Sequence, residues 1–62
     1  MTYVEVWSEK YNKYDINIVT EGKFDVDIDN IASTKDRSMA SYIAKELARR
    51  KNLTIQFRIN NH

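Results

Sequence analysis

The chain predicts an α+β fold: a small antiparallel or mixed sheet in the order strand, strand, strand, helix, strand, packed on one face by a single helix. Three observations carry it: alternating apolar runs near both ends, a hairpin signal around Gly22, and helical spacing between residues 34 and 51. Sixty-two residues with 42% hydrophobic and 31% charged side chains suit one domain spanning residues 1–62. A chain this short buries a thin core, which argues against a deep catalytic cleft.

The first strand is expected over about residues 2–8, with Val4 and Val6 on one face and Tyr3, Glu5 and Trp7 on the other. The second and third strands, about 14–19 and 23–29, form a hairpin around the single glycine. A three-residue loop Thr20-Glu21-Gly22, with Gly22 left-handed, pairs Ile18 with Phe24, Ile16 with Val26 and Tyr14 with Ile28. That register gathers the large apolar side chains on one face, and a slip by one residue would reverse every one of them.

Ser33 and Asp36 resemble a capping box ahead of a helix over about 34–51, in which Met39, Ile43 and Leu47 recur at helical spacing beside a row of Ala40, Ala44 and Ala48. Asn52 suits a left-handed C-terminal cap. The last strand, about 53–59, alternates Leu53, Ile55, Phe57 and Ile59 with polar residues. A right-handed crossover makes it parallel to the first and third strands, in the sheet order 3-2-1-4 or alternatively 1-2-3-4.

Several function classes fall away on composition. No cysteine is present, so disulfides, thiolate metal sites and cysteine nucleophiles are absent; with one glycine there is no glycine-rich phosphate loop. The start of the chain lacks a signal-peptide pattern, and no apolar window is long enough to span a bilayer, so a cytoplasmic location is expected. Asp25, Asp27 and Asp29, with Asp36 at the twelfth position, mimic a calcium loop. Asn30 stands where that loop needs glycine, however, and the alternating Val26 and Ile28 indicate a strand. The sole histidine, His62, is terminal and a poor general base. No enzyme, cofactor or metal site is expected.

The net charge of +1 conceals a division. Residues 1–32 hold seven acids against three bases, a net of −4; residues 33–62 hold seven bases against two acids, a net of +5. In the expected register Asp15, Asp25, Asp27 and Asp29 share the uncovered sheet face with Tyr3 and Trp7. Opposed like charges destabilise a ladder, so the cluster suggests a docking surface, although charge also protects sheet edges from aggregation. The alternative is that Trp7 folds over the sheet edge or against the Tyr11 loop to complete a small core, but one helix cannot cover both faces, which favours the interface reading. Arg37, Lys45, Arg49, Arg50 and Lys51 could contact nucleic-acid phosphates, while the helix dipole alone accounts for bases near a C-terminus.

The element order resembles, in topology alone, that of HicB-type antitoxin domains and of small phage proteins that inhibit host factors. The functional expectation is a non-enzymatic regulator or inhibitor of phage or mobile-element type, binding a basic surface of a host protein stoichiometrically. Tyr3 and Trp7 would be its apolar anchors, and Asp15, Asp25, Asp27 and Asp29 its steering charges. The alternatives are a nucleic-acid-binding regulator using the basic helix end, and a self-associating module such as a homodimer.

Overall fold

The computed structural model describes residues 1–60, and the expectation about His62 lies outside them. The chain forms β1 (Thr2–Ser8), β2 (Tyr14–Glu21), β3 (Val26–Thr34), α1 (Arg37–Lys51) and β4 (Thr54–Ile59). They build an α+β fold with one four-stranded mixed sheet in the order β3-β2-β1-β4. β1 runs antiparallel to β2 and parallel to β4, as a crossover through the helix requires.

The core lies between α1 and one sheet face. Val4 and Val6 of β1, Tyr14 and Ile16 of β2, and Ala40, Ala44 and Ala48 of α1 form one buried cluster. Alanines four residues apart make a smooth stripe that lets the helix seat closely on the β-branched residues beneath it. Ile43, Leu47, Leu53, Ile55 and Ile59 close its margins. Met39, expected to lead the apolar stripe, is instead exposed, and Tyr42 is too.

The helix starts three residues later than expected. Asp36 is its N-cap: the carboxylate accepts from the Ser38 backbone N–H at 3.2 Å, and the Asp36 N–H donates to Thr34 Oγ1. Ser33 belongs to β3, where its hydroxyl donates to Asp15 Oδ1 at 2.6 Å. At the other end Asn52 adopts φ 56° and ψ 49° as the left-handed cap, and Leu53 N–H donates to Ala48 O.

The hairpin register departs from the expectation. Glu21 pairs with Val26, Val19 with Ile28, Asn17 with Asn30 and Ile16 with Ala32, so Ile31 is an extra residue at a β-bulge. β3 therefore starts three residues later and ends five residues later than the expected strand. The loop is Gly22 to Asp25, closed by Gly22 N–H donating to Asp25 O at 2.8 Å, and Gly22 has no positive φ.

Two physical reasons favour this register. It pairs the backbone from Asn30 to Thr34 with β2, which the expected register would leave without ladder partners. It also puts the small Ala32 opposite Ile16, under the helix. Val26 and Ile28 gain nothing from the other face, because the helix sits over the centre of the sheet and not over the start of β3.

Candidate protein-docking face

The sheet face turned away from α1 is uncovered. Strand alternation places Tyr3, Glu5 and Trp7 of β1, Asn17, Val19 and Glu21 of β2, Val26 and Ile28 of β3, and Arg58 of β4 on it. Together they shape an open trough of about 390 Å³. Its floor is formed by Tyr3, Glu5, Asn17 and Val19, each buried by neighbours on the same face; its β3 rim is Val26 and Ile28, 59% and 60% exposed.

The floor holds a polar network across all four strands. Asn17 Nδ2 donates to Glu5 Oε1 at 3.2 Å, Asn30 Nδ2 donates to Asn17 Oδ1 at 2.8 Å, and Arg58 Nε lies 3.5 Å from Glu5 Oε2. Glu5 is thereby a buried carboxylate held by an amide and a half-exposed guanidinium, the condition under which burying a charge is tolerated. At one end of the trough the Tyr3 hydroxyl donates to Glu21 Oε2 at 3.3 Å. Burial first, and then the Glu21 carboxylate, raise the Tyr3 pKa above its ordinary value.

The expected site residues are divided by the register. Tyr3 and Trp7 do lie on the uncovered face, but Tyr3 is 2% exposed and is floor, not a projecting anchor; Trp7 is half-buried. Asp15 is on that face, bonded to Ser33. Asp25 is in the hairpin loop, and Asp27 and Asp29 point to the helix side of the sheet, opposite Thr20 and Ile18. The acidic cluster expected beside Trp7 is therefore not assembled, because the four-residue loop sends Val26 and Ile28 to the uncovered face in its place. Among the described residues no group of three or more acids and histidines is placed to hold a metal ion.

Of the basic residues, Arg37 stands apart from the group at the helix end. Arg37 begins the helix and Arg50 lies thirteen residues on, about 20 Å along the axis. Arg49 is paired with Glu46 at 2.9 Å, which lowers the Glu46 pKa through the hydrogen bond and the charge. Lys45, Arg50 and Lys51 are exposed, and Arg49, Arg50 and Lys51 occupy the last turn, where the dipole favours them.

Sequence reasoning missed Val26 and Ile28 as rim residues. The signal was Ile31: it is odd-numbered in a stretch whose other apolar positions, 24, 26, 28 and 32, are even, so Ile31 and Ala32 turn to the helix together only through a bulge, and that bulge puts Val26 and Ile28 on the opposite face. Phe24, expected to pair with Ile18, sits at the loop tip, 93% exposed, with Lys23 Nζ 5.8 Å from its ring centroid.

Among the described residues no helix is long and apolar enough to cross a membrane. No protein-family model, curated protein or solved structure matches this chain.

Proposed function

We propose that the chain is a non-enzymatic binding module that regulates another protein by docking it, one to one, on the uncovered sheet face. The observation that supports this reading is the trough itself: an apolar rim of Val26 and Ile28 and the half-buried Trp7 around a satisfied polar floor. Exposed aliphatic and aromatic side chains around a preformed concavity are the composition of an interaction surface. Acids exceed bases on this face, with Glu5, Asp15 and Glu21 against Arg58. A protein surface presenting an apolar residue flanked by basic ones is the complementary partner.

The test is capture of partners by the tagged protein from lysate of its own cell type, with and without nuclease. Trp7→Ala combined with Ile28→Ser is expected to lose the captured protein, and Arg50→Glu combined with Lys51→Glu to retain it. Loss in the second variant alone, with nuclease-sensitive capture, would move function to the basic helix end and to nucleic acid.

A further inference from the structure

The protein-docking reading leaves open what part of a partner is recognised, and β3 bears on that. It is an edge strand, paired only with β2, and every residue from Val26 to Ile31 is exposed. The hydrogen-bond phase of its ladder is fixed at both sides. Gly22 N–H donates to Asp25 O, while Glu21 N–H donates to Met1 O, away from β3. Alternation then turns the N–H and C=O groups of Asp27 and Asp29 toward β2 and those of Val26 and Ile28 outward, away from the sheet. No backbone partner is found for these outward groups among the described residues. Strand addition would use them.

Side chains on this edge are sorted by face. Val26 and Ile28 continue the apolar rim of the trough, and Asp27 and Asp29 stand on the helix side with Asp25 just beyond. A second copy of the same edge is a poor occupant. In each antiparallel two-fold register that pairs the outward group of Val26 or Ile28 with another even-numbered residue from Phe24 to Asn30, aspartate faces aspartate: Asp25, Asp27 or Asp29 meets itself, or Asp27 meets Asp25 or Asp29. Directly opposed like charges destabilise a ladder.

Resting on the protein-docking reading, we propose that the β3 edge takes up an extended partner segment of alternating apolar and basic residues as a fifth strand. Its backbone bonds to Val26 and Ile28. Its apolar side chains lie beside the trough rim, and its basic ones face Asp27 and Asp29 across the new ladder.

A short capped peptide of alternating lysine and valine is the probe, with a glutamate-valine peptide as its control, and backbone amide exchange of the full chain is read by NMR. The lysine peptide is expected to slow exchange at Val26 and Ile28 by at least about tenfold, and Asp27→Lys with Asp29→Lys to weaken its affinity by about tenfold. The glutamate peptide is expected to change neither amide. No slowing at millimolar lysine peptide, equal slowing by both peptides, or affinity indifferent to the charge reversal would overturn the proposal. Slowing at these amides that grows with concentration of the protein alone would overturn it in favour of a second copy. If the peptide fails while Trp7→Ala with Ile28→Ser still loses the captured protein, the docking face stands and only the added strand is wrong.

Discussion

Asn17 stands directly opposite Glu5 in the β1–β2 ladder, and its side-chain amide donates to the Glu5 carboxylate at 3.2 Å in a position where both residues are buried. Removing the amide leaves the carboxylate with Arg58 alone. Asn17→Ala is expected to cost about 1–3 kcal/mol in urea denaturation followed by Trp7 fluorescence. Replacing both with apolar residues, Glu5→Leu with Asn17→Val, is expected to recover most of that loss. A single variant within about 0.5 kcal/mol of the parent would show that the network contributes little.

Hydrogen exchange in the unliganded protein reads the β3 register directly. Amides of Asp27 and Asp29 point into the ladder and are expected to be protected, whereas those of Val26 and Ile28 point outward and exchange rapidly. The three-residue-loop register reverses this pattern, so the order of the four rates decides between them.

Gly22→Ala separates the same two registers by stability. Without a positive φ, Gly22 is constrained only by space: an added Cβ would meet Asp25 Oδ1 at 2.6 Å, the end of a side chain that can rotate. The expected loss is below about 1 kcal/mol, whereas a left-handed glycine would cost about 1–2 kcal/mol on the same substitution. Removing the obstacle with Asp25→Ala should make Gly22→Ala close to neutral.

Close helix seating depends on Ala44, which has no exposed surface. Ala44→Leu forces a larger side chain between α1 and the valines of β1 and is expected to cost about 1–3 kcal/mol. Tyr42→Ala, on the exposed side of the same helix, is expected to stay within about 0.5 kcal/mol. Equal losses at the two positions would contradict the packing described.

Tyr3 links the trough to alkaline pH. Its hydroxyl is neutral when protonated, and its folded pKa is raised by burial and by Glu21, so it stabilises the fold fully below the unfolded value of 10.0. That contribution disappears as pH rises through the folded pKa. Urea midpoints taken across the alkaline range are expected to fall less steeply for Tyr3→Phe than for the parent. The late phase of tyrosine ionisation seen by ultraviolet absorbance should vanish with it, and its persistence would assign the late phase to another tyrosine.

Much of the fold was legible in local pattern. The faces of β1, the alanine row, the Asn52 cap and the parallel placement of β4 all follow from periodicity and chain connectivity, which act over a few residues or through handedness. Trp7 and Tyr3 were legible as residues of the uncovered face for the same reason. How far each projects was not, because burial on an uncovered face depends on neighbours from other strands, and those bury Tyr3 almost completely.

The sequence by itself determined which elements form, their order and which side of β1 meets the helix, because side-chain alternation is a local property. Only the tertiary structure decided which face the aspartates of β3 occupy. That choice rested on pairing the whole backbone through Thr34, on fitting Ala32 under the helix, and on absorbing Ile31 as a bulge. The outcome moved Asp27 and Asp29 to the helix side and Val26 and Ile28 to the trough. The negative half of the chain is thereby divided between an uncovered face and a bare strand edge.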